Sequence, residues 1–169
     1  MKTPNISVLA LAVGLIFSLD AMAESMSKDQ YKSLEKSIDA EFTLAKARCD
    51  SLVGNASDIC IAVAKGNVSI IKAELIAKYK PSVKTRFDAR IAEADANYSV
   101  AIVECDGTAG DDKGVCVKDA ESVKAHEIAD AITKMRTSKP DANTNEKPAD
   151  ASVVMEKSIS RYSEKPRSM

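Results

Sequence analysis

Four cysteines are the residues of this chain best suited to chemistry, and they form two evenly spaced pairs, Cys49 with Cys60 and Cys105 with Cys116. A thiol redox catalyst would show Cys-x-x-Cys, and zinc sites favour much tighter spacing, so neither pattern fits. In one unbroken helix the two Cα atoms of a pair would lie about 16 Å apart, beyond the roughly 7 Å limit for a disulfide. A turn within each pair would bring them together, which predicts two local disulfides.

A second connectivity is compatible with the same four cysteines. Two cysteine-bearing helices lying side by side would join the first cysteine of each pair to the second of the other, Cys49 to Cys116 and Cys60 to Cys105, as in twin-cysteine helical-hairpin proteins. This arrangement requires each interval between cysteines to stay helical. Gly54 and Gly110 oppose it, because glycine destabilises a helix interior. The local pairing is favoured, and the pairing across the two units is the alternative.

The N-terminal segment predicts export. Residues 1–23 combine a positive residue at Lys2, an apolar run from Val8 to Leu19 and an Ala21-Met22-Ala23 cleavage pattern. That order is typical of a secretory signal peptide, and the apolar run is shorter than the roughly 20 residues that span a bilayer. We expect the mature chain to begin at Glu24 and to reach an oxidising compartment, where disulfides persist.

An internal repeat organises the rest of the chain. Sliding the sequence by 56 positions aligns aromatic, alanine, glycine and cysteine positions of the two halves: Tyr31 with Phe87, Phe42 with Tyr98, Ala45 with Ala101, Gly54 with Gly110, and both cysteine pairs. So many matches at one offset indicate a duplicated unit. The predicted organisation is a signal peptide (1–23), a first helical hairpin (24–80), a second helical hairpin (81–136) and a disordered tail (137–169).

Apolar residues in each unit recur with helical spacing. Before each turn the stripe consists of Tyr31, Ile38, Phe42, Ala45 and Cys49 in the first unit and Phe87, Ile91, Ala94, Tyr98, Ala101 and Cys105 in the second. After each turn it consists of Cys60, Ala64, Val68, Ile71 and Leu75, and of Cys116, Ala120, Val123 and Ile128. These stripes predict an all-α fold of two tandem disulfide-stapled αα-hairpins, forming either a four-helix domain or an elongated one.

The turn inside each hairpin is predicted at Gly54–Asn55 and Gly110–Asp111. We expect each glycine to end a helix in the left-handed conformation and the Asn or Asp to cap the next helix. Pro81 marks the joint between the hairpins, because proline fits poorly inside a helix. From Thr137 the chain becomes polar and proline-rich, which predicts disorder because too little apolar surface is available to offset chain entropy.

Charge and the remaining polar residues add little chemistry. After loss of Lys2 and Asp20 with the signal, 23 basic residues face 24 acidic ones, so nothing favours binding to nucleic acid or to an anionic membrane. His126 lacks a neighbouring nucleophile motif and is expected at the surface. Three acidic residues near the second turn form a possible cation site without EF-hand spacing, namely Asp106, Asp111 and Asp112. No cofactor is predicted.

The repeated cysteine motif resembles that of a known group of proteins. It reads Cys-Asp-x3-Gly-x4-(Ile/Val)-Cys in both units, within a pattern that covers about residues 28–130. It is similar to small, Ala-rich exported hypothetical proteins of Gram-negative bacteria, some of which are labelled TolA-like cell-envelope proteins. The resemblance implies a periplasmic location, and it provides no catalytic residue to carry over.

These observations favour a non-enzymatic periplasmic protein that presents helical faces to a periplasmic or envelope partner, in an envelope-associated or stress-related role. Four thin, Ala-rich helices scarcely provide the concave pocket that an enzyme needs. The alternative is a periplasmic protein that binds a cation or small ligand through its Asp-rich turns. Neither a nucleic-acid partner nor a transmembrane segment in the mature chain is expected.

Overall fold

A computed structural model describes residues 26–138 and 156–157 of the chain. Within 26–138 it forms four helices: α1 (Lys28–Cys49), α2 (Asn55–Tyr79), α3 (Val83–Cys105) and α4 (Asp111–Thr137). The all-α prediction is confirmed, and the first residue of the predicted tail, Thr137, still belongs to α4. The predicted signal peptide (1–23) and most of the predicted tail (139–155 and 158–169) lie outside the described residues.

Local sequence explains where α1 and α3 begin. The Ser27 hydroxyl accepts a hydrogen bond from the Gln30 amide, and the Gln30 side chain accepts one from the Ser27 amide. Ser82 and Thr85 exchange the same two bonds at the start of α3. Such capping boxes satisfy amides that the first turn of a helix leaves unpaired. Pro81 directly precedes Ser82 and lies outside both α2 and α3, as expected for the joint between the hairpins.

The helices form an open array one helix deep. Within residues 26–138, α1 packs on α2, α2 on α3 and α3 on α4, and no contact joins α1 to α3 or α4, or α2 to α4. Successive helices are antiparallel and linked by short turns. The sequence allowed either a four-helix domain or an elongated one, and the structure is the open, sequentially packed form. Each inner helix therefore has neighbours on two sides and exposed surface elsewhere.

The two hairpins pack against each other through α2 and α3, at a point where both helices carry small residues. Gly66 and Ala96 are both buried, and a Cβ atom added to Gly66 would lie 3.1 Å from the Ala96 Cβ. This separation is tighter than ordinary van der Waals contact, so glycine is what permits the helices to approach so closely. The repeat partners of these residues, Ser122 and Ala40, are exposed because each lies on an outer helix.

Within each hairpin the repeat places related side chains at the same point. Tyr31 stacks on Tyr79 with ring centroids 4.5 Å apart. The equivalent positions in the second hairpin are Phe87 and Met135, which belong to a buried cluster with Val83, Ile91 and Ala131. The cluster is packed against Ile128 and Ile132. Burial of these side chains supplies most of the hydrophobic stabilisation of this end of the second hairpin.

Two residues of the predicted apolar stripes are exposed instead. Ile71 on α2 is 41% exposed and Val123 on α4 is 56% exposed. The buried face of α4 runs through Ala120, Ala131 and Met135, and Val123 lies to one side of it. Ile71 lies on a stripe of α2 that neither neighbouring helix covers. The prediction that these two side chains are buried was wrong, because each helix of an open array buries a narrower face than it would in a closed bundle.

The antiparallel order gives the molecule two distinct ends. The turns at 50–54 and 106–110, with both cysteine pairs, lie at one end, called here the disulfide end. The start of α1, the connection at 80–82 and the end of α4 lie at the other, called the Pro81 end. At about 1.5 Å per residue, the 25 residues of α2 set the distance between the two ends at about 37 Å.

Candidate functional site

The disulfide end is built around two local cross-links. Cys49 is bonded to Cys60 and Cys105 to Cys116, with Cα atoms 5.6 and 5.7 Å apart. The local pairing is confirmed, and the alternative pairing across the units is not formed. The first cysteine of each pair is fully buried, and no cysteine is free. Each bond ties the last residue of one helix to the first turns of the next, which constrains the unfolded chain.

Gly54 and Gly110 adopt nearly identical backbone conformations, with φ of 59° and 61°. Both lie at the N-cap of the following helix, so the prediction that they end the preceding helix was wrong. Their ψ values of −146° and −142° fall outside the left-handed helical region. Glycine adopts this conformation readily, whereas in any other residue the Cβ atom would clash with the backbone. Positive φ was expected at both glycines, but here it directs the chain into the next helix.

Asn55 and Asp111 are the first residues of α2 and α4, and neither caps its helix as predicted. Asn55 instead links the two hairpins. The amide orientation that satisfies both of its polar atoms places the nitrogen 2.9 Å from the Val103 carbonyl and the oxygen 3.3 Å from the Gly107 amide nitrogen. A Cβ atom added to Gly107 would lie 2.6 Å from the end of the Asn55 side-chain amide, at the position that its oxygen occupies in this orientation. Asp111 is the exposed repeat partner of Asn55, because α4 has no following hairpin to contact.

The acidic residues of the second turn do not assemble into a cation site. The Asp106 carboxylate lies 2.8 Å from the Lys113 ammonium, so its charge is already paired. Asp111 and Asp112 lie in the first turn of α4, where negative charge is favourable. Within residues 26–138 and 156–157, no group of three or more His, Cys, Asp or Glu side chains is arranged to hold a metal ion.

Each hairpin carries an ion pair between its two helices. Lys72 lies 2.6 Å from Asp39, and Lys124 lies 2.7 Å from Asp95. The two aspartates are repeat partners, whereas the two lysines occupy positions one helical turn apart in their units. The hydrogen bond to Asp39 raises the pKa of Lys72, with smaller contributions from nearby negative charge. Both pairs are partly exposed, so each contributes little to folding.

A groove between α3 and α4 contains His126 among charged side chains. His126 is exposed, as predicted, and shares the groove with Arg90, Glu93, Asp130 and Lys134. The hydrogen bond from Lys134 lowers the pKa of Asp130, and the charges of Arg90 and His126 act in the same direction. No described nucleophile joins His126 there, and Asp130 forms an ion pair with Lys134. The arrangement does not resemble an acid–base pair with separated pKa values.

A second groove lies between α2 and α3, and its floor is apolar. Its lining includes Val63, Ile70, Val100 and Ala101, with Gly66 and Ala96 at the narrowest point and Asn67, Asn97 and Glu104 at the rim. The groove is shallow and open to solvent. Gly66 and Ala96, where α2 and α3 approach closely, are part of its lining. This groove was not predicted from the sequence, because the apolar positions of α2 do not indicate which of them face α3.

Comparison with protein-family models, curated proteins and solved structures finds no match. The two disulfides indicate an oxidising, extracytoplasmic compartment. No helix of the described residues is long and apolar enough to cross a membrane.

Proposed function

We propose that this protein is a non-enzymatic periplasmic interaction protein that presents its helical surface to a partner in the bacterial envelope. The open groove between α2 and α3 carries the proposal. It offers Val63, Ile70 and Val100 to solvent on a scaffold fixed by two disulfides. Apolar side chains held on a rigid surface bind a partner with little loss of conformational freedom.

The location within the envelope rests on the sequence. The signal-like segment at 1–23 and the resemblance to exported Gram-negative proteins support the periplasm, and the disulfides are compatible with it. The cation-binding alternative lacks a comparable argument, because Asp106 pairs with Lys113.

Photocrosslinking in intact cells tests this proposal. A photoreactive amino acid placed at Val63 or Val100 lines the groove, whereas one at Lys65 lies on a separate exposed stripe of α2. We expect a discrete crosslinked partner from Val63 and Val100 and none from Lys65. Adding Val100→Asp to a probe at Val63 should abolish the crosslink without changing the thermal midpoint, because Val100 is only partly buried. Equal labelling from all three positions would contradict the proposal.

A further inference from the structure

Charge is segregated between the two ends although the chain is nearly neutral. The disulfide end, taken as residues 46–60 and 102–116, carries six acidic and three basic side chains. The Pro81 end, taken as residues 26–36, 74–90 and 126–138, carries ten basic and six acidic side chains. The ends therefore differ in sign. Their separation of about 37 Å exceeds the screening length of about 8 Å at physiological salt, so each end acts on its surroundings independently.

The disulfide end also carries an exposed apolar tip. Val53 is 85% exposed and Leu52 is 41% exposed. The disulfide at Cys49 and a hydrogen bond from the Leu52 amide to the Cys49 carbonyl (3.0 Å) hold this turn in place. The second turn, entered and left in the same way, has Thr108 and Ala109 at these positions. The turn itself does not require apolar residues, so the tip needs another explanation.

The Pro81 end offers a surface of complementary character. Leu34 and Ile76 are 43% and 42% exposed, and each lies three residues from a member of the stacked pair Tyr31 and Tyr79. Because α1 and α2 are antiparallel, the register of the tyrosine pair places Leu34 level with Ile76. The helix ends that carry Leu34 and Ile76, residues 28–36 and 74–80, hold five basic and three acidic side chains, and Lys28, Lys32, Lys78 and Lys80 are among the basic ones. The net positive charge of the Pro81 end complements the net negative charge of the disulfide end, which comes from the second turn, and each end also exposes apolar side chains.

We propose that the protein associates head to tail with a second copy of itself, the Leu52–Val53 tip of one copy docking on the Pro81 end of the next. This deepens the proposed function, on which it rests, by naming one partner. Docking of a second copy accounts for the exposed apolar side chains and the opposite net charges at the two ends of the molecule. An anionic membrane would engage only the Pro81 end and leave the exposed apolar tip and the net negative charge of the disulfide end unexplained. The contact is heterologous, so it builds short chains whose length depends on concentration.

Lateral growth of the array is a poorer route to self-association. If a third hairpin or a second copy packed on α4 as α3 packs on α2, it would meet the repeat partners of the groove residues. The partners of Val63, Gly66 and Ile70 are the polar residues Asp119, Ser122 and His126. Such a polar outer face is typical of the last helix in a repeat array, where it closes the stack.

Sedimentation velocity of the oxidised mature chain (24–169) tests the proposal. At an ionic strength of about 0.05 M, the average mass should rise with concentration, and at about 0.5 M it should return to the monomer. The double variant L52T/V53A gives the first turn the residues of the second, so it should fold normally. We expect it to weaken association by at least about tenfold, because it removes the apolar part of the contact.

Charge reversal identifies the two surfaces. K28E/K32E/K78E/K80E changes the Pro81 end from a net charge of +4 to −4, and D50K/D111K/D112K changes the disulfide end from −3 to +3, so each variant alone should associate about tenfold more weakly or not at all. An equimolar mixture should recover association, because the reversed end of one variant meets the reversed end of the other. Circular dichroism and thermal melting of both variants would establish that they fold.

Two results would overturn head-to-tail association. One is a wild-type chain that stays monomeric at low salt over the whole concentration range. Binding of that monomer to vesicles of anionic phospholipid through Lys78 and Lys80 would then identify a membrane as the partner of the Pro81 end. The other is an L52T/V53A variant that associates as strongly as the wild type. Both measurements use purified protein, so either result leaves the crosslinking test of an envelope partner unaffected.

Discussion

At the residue scale, differences between the repeats reveal which side chains join the hairpins. Asn55 bonds to Val103 and Gly107 of the other hairpin, whereas its repeat partner Asp111 is exposed. Gly107 takes the place of Ser51 in the first unit because the Asn55 amide occupies the space that a Cβ atom would need. At these two positions the difference between the repeats reflects the contact between the hairpins.

The link through Asn55 predicts coupled mutational effects. Asn55→Ala removes both hydrogen bonds, and Gly107→Ala pushes the amide out of position, so each should lower the free energy of unfolding by about 1–2 kcal/mol. The double variant should lose little more than either single variant, because both changes break one interaction. Urea unfolding measures all three values.

Gly114→Ala is the matched control for the glycine substitution. Nothing lies within 4 Å of a Cβ atom added at Gly114, which is in α4. This variant should stabilise the protein by about 0.5–1 kcal/mol, since alanine is the better helix former. Additive losses for Asn55→Ala and Gly107→Ala would show that the two residues are not coupled.

The ion pair between Lys72 and Asp39 predicts a pH dependence on the alkaline side. The pKa of Lys72 is raised above its ordinary value near 10.5, so the folded state holds this proton more tightly than the unfolded chain. Its contribution is complete below pH 10.5 and is lost as the pH rises through the folded pKa. The thermal midpoint of wild type should exceed that of Lys72→Gln slightly at pH 8, and the difference should narrow above pH 10.5.

Lys65→Gln is the control for this measurement, because Lys65 is exposed on α2 without an interhelical ion pair among the described contacts. Its difference from wild type should stay constant over the same alkaline range. A Lys72→Gln difference that is independent of pH up to full deprotonation would contradict the assignment.

At the element scale, the contact between α2 and α3 decides the architecture. Each hairpin is held by its own disulfide, but joining the hairpins depends on Gly66 meeting Ala96. The exposed repeat partner Ser122 shows that the same helix position tolerates a side chain when no helix faces it. The close approach is therefore a property of the pair of elements and not of either helix alone.

Filling the space at Gly66 should separate the hairpins. Gly66→Leu forces a large side chain against Ala96, and overpacking of this kind costs about 1–3 kcal/mol. Ser122→Leu, at the equivalent position on α4, should change the free energy of unfolding by less than about 0.5 kcal/mol. Chemical denaturation compares the two variants, and small-angle X-ray scattering should show a larger radius for Gly66→Leu. Equal stability of the two variants would contradict the role given to Gly66.

Because both disulfides are local, we expect each hairpin to be cross-linked independently of the other. Replacing Cys49 and Cys60 together with Ser should lower the free energy of unfolding by about 2–5 kcal/mol and leave the bond between Cys105 and Cys116 intact. Cleavage of unreduced wild type after Lys84 should yield two fragments that separate in denaturant without reductant. Fragments that stay joined until reductant is added would require a bond across the units.

At the scale of the whole molecule, the open array gives a nearly neutral chain two ends of opposite net charge. Summed over the chain, the net charge is −1 and gives no indication of a preferred partner. Antiparallel packing places ten basic and six acidic side chains at the Pro81 end, and six acidic and three basic side chains at the disulfide end. The surface that a partner meets thus depends on the direction of approach.

The C-terminal segment is predicted to contribute little to the stability of this array. Deleting residues 140–169 should leave the thermal midpoint nearly unchanged, because a polar, proline-rich segment has little apolar surface to bury. Differential scanning calorimetry of residues 24–169 and of residues 24–139 measures the difference. A drop of several degrees would show instead that Val153, Val154 and Met155 pack on the helices.

The sequence by itself determined the features that depend on local spacing. The offset of 56 residues revealed the duplication, the period of apolar residues predicted the helices, and the cysteine interval with Gly54 and Gly110 predicted the local disulfides. All of these follow from residues close together in the chain, where backbone geometry limits the outcome.

Only the tertiary structure decided which helix faces meet. The packing of α2 on α3 at Gly66, the bridge from Asn55 and the exposure of Ile71 and Val123 depend on the open order of the helices. An apolar period gives the direction of one buried face, but a central helix has two neighbours, and small residues such as Gly66 carry no strong hydrophobic signal. The separation of charge between the two ends was likewise invisible in the composition, because a net charge sums over positions that folding places far apart.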